Sequence, residues 1–193
     1  MSSSPMVFGV YAQRTSASKS VRLQVQLRTW FPVLACVAVL AVESTSYLGA
    51  DHTSAPLRTV AETLFGYDAC MHWDLMHHLI RKTGHFMGYG VFSLVCFRGF
   101  WIALQPPESR LLRQLRAHGL AILATFLVAC ADEFHQSFLP NRSGQLSDVL
   151  LDTCGAMALG LMLFAMMRAA ESRKLAQGSH RRNPACAEAV ALG

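Results

Sequence analysis

Charged side chains are scarce: Asp, Glu, Lys and Arg make up 15% of the 193 residues, where soluble domains carry about 25%. That scarcity excludes an ordinary soluble domain. The six cysteines form no CxxC pair, which argues against a zinc-thiolate site or a dithiol redox motif. Cys36, Cys96, Cys130 and Cys154 fall in separate apolar stretches and read as small buried apolar residues, with Cys70 in a loop and Cys186 in the tail. HExxH is missing, and Glu133-Phe134-His135-Gln136 does not replace it. Basic residues outnumber acidic ones, 17 to 12, for a net charge of +5. They lie between apolar blocks and at the ends, not on a readable basic face, so no nucleic-acid partner is expected. What the chain has in abundance is apolar surface: 52% hydrophobic residues and a mean hydropathy of +0.30. This composition predicts an all-α integral membrane protein.

A bilayer core takes about 20 mostly apolar residues per helix, and four stretches qualify. They run roughly from Trp30 to Leu48, Thr83 to Leu104, Ala117 to Leu139 and Leu146 to Met167. Gly84/Gly88 and Ala156/Gly160 give the small-xxx-small spacing that lets membrane helices approach. The expected organisation is a disordered cytoplasmic segment over 1–29, a four-helix bundle over 30–167 with an outer loop over about 49–82, and a disordered cytoplasmic tail over 168–193. The first apolar block is longer than the roughly 7–15 residues of a signal-peptide core, so it reads as an uncleaved span.

Lys and Arg set the expected sidedness. Thirteen of them precede span one, follow span four, or surround the link between spans two and three. Only Arg58, Arg81, Lys82 and Arg142 fall on the other side. Both termini are therefore expected in the cytoplasm. Within the first outer loop, Leu57, Val60, Ala61, Leu64 and Phe65 recur at helical spacing. That pattern fits an amphipathic helix, either on the membrane surface or capping the bundle. His52, His72, His77, His78 and His135 read as solvated surface residues.

Ionisable side chains inside a span are costly and mark function by default. Lys82, His85 and Tyr89 stand at i, i+3 and i+7 where span two opens, on one helical face. Asp132 and Gln136 share a face where span three ends, with Glu133 beside them and Arg142 following. Span four opens with Ser147-Asp148, followed by Asp152, and span one carries Glu43-Ser44-Thr45-Ser46 near its end. Each set lies at the span end that the charge bias places outside. The two cues converge on an extracytoplasmic pocket between helix ends. Its carboxyls outnumber its cations, so a proton or a divalent cation is expected to share the acidic cluster. His85 as imidazolium would absorb part of the charge.

At these residues the chain resembles the VanZ-like membrane proteins. Lys82-Thr83-Gly84-His85-Phe86-Met87-Gly88-Tyr89 is similar to that family's Lys-x-x-His-x-x-x-Tyr signature. The run from Asp132 to Arg142 is similar to its Asp-Glu-x-x-Gln-x-x-x-Pro-x-Arg element, and Asp148 followed by Gly155 and Gly160 to its third element. Ser44-Thr45-Ser46 is similar to a weaker serine motif ending the first helix. Asp152 stands where the family more often has Asn. The resemblance covers about residues 30 to 167. It implies a multi-pass protein of the bacterial cytoplasmic membrane, in a family named for a member that lowers susceptibility to the glycopeptide teicoplanin. It supplies no settled activity.

Two functions compete. In the first, the outer pocket binds or modifies an envelope component such as a lipid-linked or cell-wall precursor, with Lys82, His85 and Arg142 on an anion and Asp132, Glu133 and Gln136 orienting it. In the second, His85 is the general base of a membrane-embedded hydrolase or transferase acting on a lipid-linked phosphate or glycan. The sequence offers this enzyme no nucleophile with a paired base. A transporter ranks third, because four spans without an internal repeat leave little room for alternating access in a monomer.

Overall fold

The computed structural model describes residues 5–67, 70–104, 109–140 and 144–182. The described residues contain no strand. They form α1 (Pro5–Glu43), α2 (Ala50–Phe65), α3 (Trp73–Ala103), α4 (Arg110–Gln136) and α5 (Leu146–Arg182), with one 3-10 turn at Ser46–Leu48. Four segments are long and apolar enough to cross a membrane: Leu23–Glu43, Trp73–Ala103, Arg110–Gln136 and Leu146–Gln177. Helices suit that setting because each backbone N–H and C=O finds its partner within the segment.

The helices outrun the apolar stretches. α3 begins at Trp73, ten residues before the expected start of span two, because nothing between Trp73 and Lys82 breaks a helix. Asp74 in its first turn suits the positive end of the helix dipole. α4 begins at Arg110, where Ser109 caps it by accepting a hydrogen bond from the Leu112 N–H at 3.2 Å. At the chain ends, helix extends out to Pro5 and to Arg182, where the composition predicts disorder.

Side-chain contacts fix the register. Tyr89 meets Asp132, Phe97 meets His118 with ring centroids 4.2 Å apart, and Arg113 lies over the Trp101 ring, so α3 and α4 run antiparallel. Lys82 meets Asp148 and His85 meets Asp152, so α3 and α5 run parallel. Trp30 of α1 packs edge-on against Phe100, and Gly99 leaves room for its ring. The core, including Tyr89, Phe92, Cys96, Phe97, Ala117, Ala121 and Val149, lies among α3, α4 and α5 with α1 against one side.

Small residues set the closest approach, but not all the expected ones. Gly84 and Gly88 have nothing near them that an added methyl would touch. The tight crossing of α3 on α5 is at Gly155, where a Cβ would run into the Phe86 carbonyl, and at Gly90, where it would lie 2.9 Å from Leu159. Ala156 is fully buried, whereas a Cβ at Gly160 would meet only the His118 ring, at 3.6 Å. Hydrophobic burial gives no drive between helices in lipid, so such packing and polar ties carry the association.

α2 is the expected amphipathic helix. Its start is tied to α3 by Trp73 Nε1–H donating to Ser54 at 2.8 Å and by Thr53 and His77 at 3.2 Å. Leu57, Val60, Leu64 and Phe65 remain exposed, so α2 does not cap the bundle with its apolar face. His77 is not a solvated residue: it is buried and stacked on Trp73. His52, His72 and His78 are exposed. Cys70 and Cys96 are buried, Cys36 and Cys130 partly so, and Cys154 is exposed rather than in the core; all five are free thiols. Cys186 lies outside the described residues.

Candidate functional site

The parallel register of α3 and α5 matches two periodicities. A step of three from Lys82 to His85 on α3 faces a step of four from Asp148 to Asp152 on α5. Lys82 Nζ forms an ion pair with Asp148 Oδ1. One turn deeper, His85 Nδ1 lies 3.6 Å from Asp152 Oδ1. The Asp152 side chain is 0% exposed, and among the described residues neither of its oxygens has a hydrogen-bond partner. The same is true of His85 Nδ1. His85 is therefore the group on which the buried Asp152 carboxyl depends for electrostatic compensation.

Across α3, Tyr89 continues the series. Its ring stacks on His85 with centroids 6.1 Å apart, and its hydroxyl donates to Asp132 Oδ2 at 2.9 Å. Gln136 donates to the same oxygen at 3.0 Å from one turn further along α4. Glu133 points away from this pair, towards the start of α5, where its Oε2 accepts the Gln145 N–H at 2.8 Å. Gly144 makes that approach possible, since a Cβ there would overlap the Glu133 carbonyl. Glu133 Oε1 is buried without a partner among the described residues. The carboxyls of Asp132, Asp148 and Asp152 all lie within electrostatic reach of Glu133.

A pocket of about 420 Å³ opens on the other side of Tyr89 and Asp132, between α1, α3 and α4. Val37, Leu40, Ala41 and Val128 form its apolar wall. Tyr89, Asp132 and His135 give it a polar end, together with Ser44, whose Oγ lies 3.0 Å from His135 Nδ1. Ser44 sits at the end of α1 and is buried, while His135 is exposed.

Lys82, His85, Tyr89, Asp132, Glu133, Gln136, Asp148 and Asp152 thus gather at one end of the bundle, as their placement in the sequence suggested. Only Tyr89 and Asp132 of this set reach the pocket; Lys82, His85, Asp148 and Asp152 are spent on each other between α3 and α5. Arg142 lies outside the described residues. Among the described residues, no group of three or more His, Cys, Asp or Glu side chains is arranged to hold a metal ion. The Ser44–His135 contact was not foreseen. The signal for it was the i+3 spacing that puts His135 on the Asp132 face of α4.

Four crossing-competent helices, with acids, a lysine and a histidine paired between them at one end, define a multi-pass α-helical membrane protein. The chain belongs to the VanZ/LLP1 family, whose model matches residues 6–168. No curated protein and no solved structure matches it.

Proposed function

We propose that this protein engages the head group of an envelope lipid or lipid-linked cell-wall component through the pocket between α1, α3 and α4, on the extracytoplasmic side of the cytoplasmic membrane. The observation that carries this reading is the pocket's two-part lining, apolar along α1 and polar at Asp132, Tyr89 and His135. Its volume of about 420 Å³ falls within the range of roughly 300–1,000 Å³ of small-ligand sites. The cation bias of the flanking segments supports the outward orientation. Sequestering a wall precursor there would be one route to the altered glycopeptide susceptibility for which the family is named.

The test is to purify the protein with its native lipids and identify them by mass spectrometry, beside Asp132→Asn and Ala131→Trp. A lipid species retained by the wild type and depleted in both variants is the expected result. The same lipids in the same amounts on all three proteins would overturn the reading.

A second reading, a membrane-embedded hydrolase or transferase, is favoured by the Ser44–His135 pair. A hydroxyl within 3.0 Å of an imidazole, beside a pocket, is the arrangement that nucleophilic catalysis needs. It predicts that the retained lipid is chemically altered by the wild type and unaltered by Ser44→Ala.

A further inference from the structure

Among the described residues, the polar end of the pocket carries one carboxylate, that of Asp132, and no Lys or Arg. Both hydrogen bonds to Asp132 from described residues land on Oδ2, from Tyr89 and Gln136, which leaves Oδ1 as an acceptor. Lys82, the lysine of the cluster, is held by Asp148 on the α3–α5 side. An anionic head group seated here would face a carboxylate in a low-dielectric setting, where repulsion is least screened. A primary ammonium brings the opposite charge and N–H donors together, the combination that makes the strongest hydrogen bonds to carboxylate.

We infer that the pocket is built for an amphiphile with a primary ammonium head group, its nitrogen on Asp132 Oδ1 and its apolar chain along Val37, Leu40, Ala41 and Val128. This inference rests on the pocket reading proposed above and specifies the chemistry of its ligand. The apolar wall selects for a tail; the carboxylate selects for a donor that is also a cation.

The experiment uses the full chain in phosphatidylcholine nanodiscs at pH 7 and four probes with one tail: dodecylamine, dodecyltrimethylammonium, dodecyl glucoside and dodecyl phosphate. Binding is read by saturation in native mass spectrometry. Dodecylamine is expected to bind at least tenfold more tightly than the glucoside or the phosphate. The trimethylammonium probe, which keeps the charge and loses the N–H donors, falls between. Asp132→Asn, close in shape to the original, weakens dodecylamine about tenfold and levels the series. Ala41→Phe fills the apolar wall without touching the carboxylate and weakens all four probes together. Equal or tighter binding of the phosphate or the glucoside overturns the ammonium assignment, as does an order unchanged by Asp132→Asn. If no probe binds saturably to the wild type, the pocket reading itself falls.

Discussion

His85 and Asp152 face each other across α3 and α5 with Nδ1 3.6 Å from Oδ1, and among the described residues neither atom has a hydrogen-bond partner. A carboxyl sealed between helices with one facing group depends on that group. Removing one partner of a buried ion pair leaves the other uncompensated, at a cost of roughly 3–5 kcal/mol. His85→Ala is therefore expected to destabilise the protein by about 3 kcal/mol, near the lower end because His85 is partly exposed. Asp152→Asn removes the charge and keeps the shape, so it should cost less than half as much. Thermal unfolding in detergent separates the two. Equal losses in both variants would mean that packing, not charge, holds the contact.

Tyr89 and Gln136 converge on one oxygen of Asp132. Hydrogen bonds to charged groups are worth about 1.5–3 kcal/mol, and the Gln136 donor remains when the tyrosine hydroxyl is removed. Tyr89→Phe should accordingly cost about 1.5 kcal/mol. In a double-mutant cycle, most of that loss should vanish on an Asp132→Ala background, since the two changes break the same bond. Additive losses would show that the hydroxyl and the carboxyl do not act on each other.

The crossing of α3 and α5 gives a contrast within one residue type. A methyl at position 155 meets the Phe86 carbonyl, whereas methyls at 84 and 88 meet nothing within 4 Å. Backbone cannot step aside as a side chain can, so Gly155→Ala must push two helices apart and disturb the Lys82–Asp148 and His85–Asp152 contacts beside it. Its unfolding temperature should fall by several degrees. Gly84→Ala and Gly88→Ala should be neutral or slightly stabilising, by up to about 1 kcal/mol, because alanine is the better helix former. Destabilisation by Gly84→Ala or Gly88→Ala equal to that of Gly155→Ala would point to a partner on the open glycine face.

The sequence already placed Lys82, His85, Asp148 and Asp152 at one end of the bundle, because each pair repeats at a helical step; that α3 pairs with α5 came from the structure. Intramembrane charge is rare enough that their coincidence at one end could be read directly. Three features were not legible. The early start of α3 was missed because hydropathy marks where lipid begins and not where helix begins. The burial of His77 depends on Trp73 and Thr53, contacts that neighbouring polar residues conceal. Ser44 and His135 stand 91 positions apart, and only the packing of α1 on α3 brings the end of α1 within reach of α4. The open glycine face at 84 and 88 shows the same limit from the other side: a spacing names a surface that can pack, not the one that does.

Sidedness can be decided without knowing the ligand. Tyr47 lies in the turn between α1 and α2, at the same end as Ser44 and the pocket, and is 84% exposed. Ser172 lies on α5 beyond Met167, at the opposite end, and is also exposed. If the Lys and Arg bias orients the bundle, Tyr47→Cys faces the outside of the cell and Ser172→Cys the cytoplasm. In a background lacking the native cysteines, a membrane-impermeant maleimide should label Tyr47→Cys on intact cells and leave Ser172→Cys unlabelled until the cells are opened. The reverse pattern would put the polar end of the pocket in the cytoplasm. A ligand presented on the outer leaflet would then have no path to Asp132, and the envelope reading would have to be replaced by one for a cytoplasmic-leaflet lipid.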